Sequence, residues 1–264
     1  MLKGCTFMSV FILKLIAMVS MFIDHTAFWL VNNNLVMRNI GRLAFVIYCF
    51  LMAESYYHLK DKPDRLKKHV IKLLFLFVLS EVPYDLFDHR KLIDFSSQNV
   101  ILTLLLGFLS LIIAGYIKRK TNNKTLAGIG FILSVLAMAE LSILFKSEYK
   151  FRGVLLIAMF YLYLEKADSL KLKDKVFMLY GIDLFYCLLG LWTRSDFGGW
   201  EQFVETTVRM SKWTVGMIIS FMPLVFYNRK LGYQEKWFKY FYSYFYPLQF
   251  VILLIARYYW RSKI

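Results

Sequence analysis

The chain has 264 residues, 59% of them hydrophobic and 19% charged, with a net charge of +15. This balance excludes a disordered chain, a collagen-like chain and a disulfide scaffold, and it argues against an ordinary soluble enzyme. The basic residues cluster between apolar runs, which is the pattern of membrane topology and anionic lipid headgroups rather than of nucleic-acid binding.

A membrane span needs about 20 mainly apolar residues. On that measure the chain reads as an all-α, polytopic transmembrane helix bundle of about nine to ten spans, a single domain over 1–264. The runs lie at 7–31, 37–58, 70–87, 99–117, 125–145, 153–165, 176–193, 213–227 and 243–260. The first is too long for a signal-peptide core and is interrupted by Lys14, so it reads as a retained span. The loops at 59–69, 118–124, 166–175 and 228–239 hold 17 Lys and Arg together, against 9 in the alternate loops. The richer set reads as cytoplasmic, and with it the amino terminus.

That orientation gives each polar residue a depth. Asp24 and His25 fall in the outward half of the first span. Arg38 and Arg42 share one face at the outer start of the second. Glu81 and Asp85 flank Pro83 at the outer end of the third. Asn99 and Thr103 open the fourth, with Gly107 one turn deeper, and Glu140 and Glu148 bracket the outer end of the fifth. Glu54 lies nearer the cytoplasmic end of the second, one turn before His58. Asp183 stands alone in the seventh and is expected to meet a Lys or Arg on a neighbouring helix. His69 and His89 read as solvated loop residues, and the aromatic stretch Trp237–Tyr246 as an interface belt.

Ionisable groups inside a bilayer are costly, so each needs a reason. A structural ion pair is one reading for Arg42 with Asp24, Glu81 or Asp85, and Glu54–His58 reads equally as an interfacial pair. A buried His near carboxylates suits general-base work. An ion or proton path through a small transporter or channel would use the same residue types. Cys5, Cys49 and Cys187 have no CxxC spacing, and no set of His and Cys has metal-ligand spacing, so no metal is expected.

The ordered pieces that carry these residues are Leu13-Lys14-Leu15-Ile16-Ala17 with Ile23-Asp24-His25, Arg38-Asn39-Ile40-Gly41-Arg42-Leu43-Ala44-Phe45, and Ala53-Glu54. They continue with Ser80-Glu81-Val82-Pro83-Tyr84-Asp85-Leu86, Asn99 to Gly107, Glu148-Tyr149, Gly153-Val154-Leu155 and Tyr244-Phe245-Tyr246-Pro247-Leu248. As an ordered set the chain resembles the TraX family of integral-membrane acetyltransferases, named for the protein that acetylates the amino terminus of F-type pilin. Three positions depart from the family pattern: Val46 where it has Pro, Ser55 where it has Gly, and Gln249 where a His follows Tyr-Pro-Leu.

The resemblance implies acetyl transfer from cytoplasmic acetyl-CoA to an amine or hydroxyl in a bacterial cytoplasmic (inner) membrane. Partners would be membrane lipid and a peptide, lipid-linked or glycan acceptor. His25 would be the general base or acyl carrier, with Asp24 and Arg42 assisting. Arg38, Glu54, Glu81, Asp85, Asn99, Thr103, Glu148 and Tyr149 would contact substrate. Arg65, Lys67, Lys68, Arg119 and Arg229 would hold the CoA phosphates.

Overall fold

A computed structural model describes residues 7–31, 34–192 and 219–261. The described chain is all-α: α1 (Val10–Trp29), α2 (Leu35–Leu59), α3 (Pro63–Asp88), α4 (Val100–Lys120), α5 (Lys124–Leu144), α6 (Lys150–Lys166), α7 (Leu172–Trp192), a helical stretch α8 over 219–225, and α9 (Lys236–Arg261). Each expected span therefore contains a helix, although 213–218 of the eighth falls outside the described residues. Among the described residues four helices, α1, α2, α4 and α5, are long and apolar enough to cross a membrane. The others differ for visible reasons: α3 carries Lys72, Glu81 and Asp85 in its apolar stretch, and α6 has 17 residues.

Local signals set the helix ends. Asn99 caps α4 by accepting from Ile101 N at 2.9 Å, and Asn123 caps α5 by accepting from Thr125 N at 2.8 Å. Pro63 opens α3, where its missing N–H is harmless, with Asp64 in the favoured first turn. Lys118, Arg119 and Lys120 close α4 where cations complement the helix dipole. The basic segment 59–69 is thus mostly helix rather than loop, because α3 starts at Pro63.

The chain divides into two compact units, each drawn from two stretches: residues 1–48 with 166–239, and residues 49–165 with 240–264. The second unit has its core where α4, α5 and α6 pack through Leu102, Leu106, Val135, Ala139, Val154 and Ala158. Lipid is as apolar as leucine, so close packing rather than water exclusion must hold such helices together. Gly107 shows how: a Cβ there would run into the Ile157 side chain, so α4 and α6 approach closely at a residue without one. Buried hydroxyls bond back to their own helices, as Ser80 does to Leu76 O at 2.6 Å and Ser110 to Gly107 O at 2.7 Å. Outside the core, α5 exposes Leu126, Ile129, Ile132, Leu133 and Leu136, a face suited to lipid.

In the first unit, α1 begins at the Ser9 cap, and Met8 pairs with Tyr227 in an isolated bridge. Here Asp183 is buried, and its Oδ1 accepts from Cys187 Sγ at 3.7 Å. The expected Lys or Arg partner is absent among the described residues: the residue one helical turn away, Cys187, fills that place. Cys49 and Cys187 are buried, and Cys5 lies outside the described residues.

The loop placement is corrected for His69, whereas His89 does follow α3 and is half-buried rather than solvated. His69 lies inside α3 with its ring 4.7 Å from that of Phe108. His89 follows α3 as its cap, and its Nε2 meets Ser97 Oγ at 3.0 Å. Of the aromatic stretch on α9, Trp237, Tyr240, Phe241 and Tyr244 are exposed, as an interface belt needs, whereas Tyr246 turns inward and is buried.

Candidate functional site

The predicted polar residues gather into two clusters, one in each unit. In the first unit, α1 and α2 form a hairpin whose charged contact is Asp24 Oδ1 to Arg38 Nη1 at 3.0 Å. Arg42, one turn further along α2, acts on the same carboxylate electrostatically. The helices come close there because residue 41 is glycine, and a Cβ at Gly41 would collide with the Asp24 side chain. Arg38 also lies 5.3 Å from the centre of the Phe28 ring. His25 is half-buried beside this pair. Both arginines engage Asp24, Arg38 by contact and Arg42 electrostatically.

In the second unit, α3 and α4 meet at their adjoining ends. Asn99 links them: its N–H donates to Glu81 Oε1 at 3.3 Å, and its Nδ2 donates to Phe77 O at 3.1 Å. Its Oδ1 is used by the α4 cap. Four residues on, Thr103 Oγ1 accepts from Tyr149 N at 3.4 Å, which brings two more predicted residues together. Asp85 is 3% exposed, and its Oδ2 accepts from Asp94 N at 2.8 Å. Glu81 Oε2 and Asp85 Oδ1 are buried and have no hydrogen-bond partner among the described residues. Pro83 lies between them inside the helix and removes one backbone hydrogen bond, a break that membrane helices tolerate.

The loop after α3 frames this end. Arg90 takes a left-handed turn (φ 59°). Ser97 Oγ lies 3.1 Å from Tyr84 OH, and Gln98 pairs with the segment before α6 through Gln98 N to Lys146 O at 3.0 Å and Glu148 N to Gln98 O at 2.9 Å. The Glu148 side chain is exposed, within electrostatic reach of Tyr84 and Tyr246. Asp94, half-buried in this loop, is held well below the usual carboxylate range by the Lys91 ammonium at 2.7 Å and by the Ser96 hydroxyl and N–H.

Glu54 stands apart from this cluster. It is 3% exposed and meets His58 Nε2 at 2.8 Å through Oε1, the interfacial pair the sequence allowed. The basic residues are spread out. Arg65, Lys67 and Lys68 are exposed on the first turns of α3. Arg119 donates to Lys60 O at 3.2 Å, which ties the end of α4 to the turn before α3. Arg229 belongs to the first unit and pairs with Asp168 at 3.1 Å. No cluster of three or more metal-ligating side chains occurs among the described residues.

Sequence reasoning passed over Tyr84, Tyr246, Ser97 and Gln249 as site residues. Tyr84 and Tyr246 had a signal in the prolines beside them, since each interior proline of this unit adjoins a buried tyrosine. Ser97 had none.

The comparisons with known proteins follow this arrangement. The TraX protein family matches residues 9–257. The probable fimbrial assembly protein FimC, serogroup H1, of Dichelobacter nodosus is 30% identical over 116 residues, which are 40% of this chain and 46% of that protein. The chain thus spans about half the length of that curated relative. No solved structure matches it. The family match takes in both polar clusters and every helix from α1 to most of α9, and on it the chain belongs to the TraX family.

Proposed function

We infer that this protein is an integral-membrane acetyltransferase of a bacterial cytoplasmic membrane. It moves the acetyl group of cytoplasmic acetyl-CoA to an amine presented at the outer half of the bilayer. The observation that carries this reading is the pair of buried carboxylates at the end of α3. Glu81 and Asp85 each bind a backbone N–H with one oxygen and keep the other available. Buried acidic oxygens without a cation suit an ammonium, the resting form of an amine acceptor. Family membership supports the transfer chemistry, and a relative named for fimbrial assembly fits a pilin-like peptide as acceptor.

In this reading Glu81 and Asp85 attract the acceptor ammonium, His25 is the base that takes up its proton, and the freed amine attacks the thioester carbonyl. Arg42 steadies the oxyanion, and the departing sulfur takes the second amine proton so that CoA leaves as the thiol. His25 serves as general base, or as acyl carrier if transfer has two steps. Asp24, Arg38, Asn99, Thr103, Glu148 and Tyr149 hold these groups and the acceptor in place, and Glu54 supports the cytoplasmic side. Arg65, Lys67, Lys68, Arg119 and Arg229 bind the CoA phosphates from the basic cytoplasmic face, where the amino terminus also lies. The full set of nine to ten spans belongs to the same proposal.

The test uses membranes holding wild-type protein or His25→Ala, supplied with isotope-labelled acetyl-CoA and native-host peptide, lipid and glycan fractions. Label should pass to the peptide fraction and fall by about 10²- to 10⁴-fold in the variant. Label in the glycan or lipid fraction instead would replace the amine by a hydroxyl acceptor. If no fraction is labelled and no CoA is released, acetyl transfer fails and the buried charges fit an ion path.

A further inference from the structure

Gln249 lies on α9, three residues after Tyr246 and on the same face. It is 0% exposed, and neither its Oε1 nor its Nε2 has a hydrogen-bond partner among the described residues. Buried amides are nearly always paired, and an unpaired one carries the full penalty of its lost hydration. A group of this kind points to something other than the polypeptide that completes its bonds.

Its surroundings narrow the candidates. Tyr246 lies in electrostatic reach of Glu81, Tyr84 and Glu148. Phe250, the next residue along, places its ring 6.0 Å from Tyr84 and 4.9 Å from Phe87. This face of α9 therefore packs on the end of α3 that carries the available oxygens of Glu81 and Asp85. Helix packing alone would favour apolar residues at all three positions.

We propose that the Gln249 carboxamide is a specificity-determining contact that pairs with an amide of a substrate. Its oxygen accepts from the amide N–H, and its NH2 donates to the amide carbonyl. The inference rests on the acetyl-transfer reading above. A carboxamide offers an acceptor and a donor side by side in one plane, and another amide satisfies both at once. A lone carbonyl or carboxylate satisfies the NH2 and leaves the oxygen bare. Two substrates of the reaction carry such a group: the pantetheine arm of the acetyl donor, and the peptide bond beside the amino terminus of a peptide acceptor.

The test takes the purified full-length chain in lipid nanodiscs as wild type, Gln249→Met and Gln249→Glu. Methionine keeps similar volume without polar bonds, and glutamate keeps the shape but loses the donor. Thermal midpoints are measured without ligand, and affinities are measured for coenzyme A and for trialanine amide with a free amino terminus. Gln249→Met should leave the ligand-free midpoint unchanged or raised, because an unfilled amide is removed. It should weaken one probe about tenfold and spare the other, and the probe affected names the source of the amide. Gln249→Glu should weaken the same probe. A structural role gives the opposite pattern, a lowered midpoint with unchanged affinities, and overturns the proposal. So does unchanged affinity for both probes, which would leave Gln249 facing only water. If Gln249→Met misfolds, Gln249→Glu decides alone: wild-type midpoint with wild-type affinities rejects the contact. Wild-type protein that binds neither probe and transfers no acetyl group defeats the acetyl-transfer reading itself. Wild-type protein that does both, beside variants that bind as well, defeats only the role of Gln249.

Discussion

The hairpin of α1 and α2 and the junction of α3 and α4 treat a buried carboxylate in opposite ways. Asp24 faces two guanidinium groups, Arg38 at 3.0 Å and Arg42 one turn on, so its charge is neutralised by side chains. Glu81 and Asp85 are met by backbone N–H groups, and no Lys or Arg pairs with either among the described residues. A paired charge is already satisfied and holds helices in register. A carboxylate held by an amide on one oxygen is oriented but still lacks a counter-charge. The first arrangement builds a scaffold beside His25. In the proposed function the second receives a cation.

The sharpest way to break that comparison is to remove the guanidinium. Arg38→Met leaves the half-buried Asp24 with Arg42 alone, and the protein should lose about 3 kcal/mol of stability, the low end for breaking a buried pair because the site is half-buried and Arg42 still faces the carboxylate. Removing both charges in Asp24→Asn with Arg38→Met should restore stability to within about 1 kcal/mol of wild type. Unfolding midpoints in detergent check both. If the single variant matches wild type, the pair is not structural, and the two regions lose their distinction.

Asp85→Asn sharpens the other side and should do little to stability. Asparagine can still accept from Asp94 N, so the midpoint should stay within about 1 kcal/mol. The loss should fall on function: the KM for an amine acceptor should rise about tenfold, the difference between a charge-assisted and a neutral hydrogen bond, with kcat nearly kept. A large fall in midpoint with unchanged KM would make Asp85 a structural residue like Asp24.

Much of this was legible in the sequence. Apolar runs gave a helix for every expected span, since a bilayer permits little else, and charge spacing placed Arg38 and Arg42 on one face. Pattern alone did not pair Asp24 with Arg38 rather than Arg42, because the choice depends on how closely the helices approach at Gly41. His69 reads as a loop residue for a related reason. α3 starts at Pro63, well before its apolar stretch, so a basic segment that reads as loop is helical and carries His69 to Phe108. Gln249 was visible only as a departure from the family pattern, and its complete burial is a tertiary fact.

The smallest expected effect tests the loop that orients Asp85. Asp94 bonds Asp85 through its backbone N–H, and its own carboxylate is held by Lys91 and Ser96. Its folded proton affinity is depressed, so its contribution is present above the unfolded value, near pH 4, and is lost only as pH falls through the lower folded value. Hydrogen-exchange protection over 90–97, corrected for intrinsic rates, should stay flat from neutral pH down to about pH 4. Asp94→Ala should raise exchange across this loop at every pH and leave the global midpoint unchanged, because the loop lies outside the helices and the N–H to Asp85 remains. Protection that fades near pH 4 in wild type would mean that Asp94 titrates as a free carboxylate. The loop would then not fix the orientation of Asp85, and the contrast with the arginine-locked Asp24 would rest on Glu81 alone.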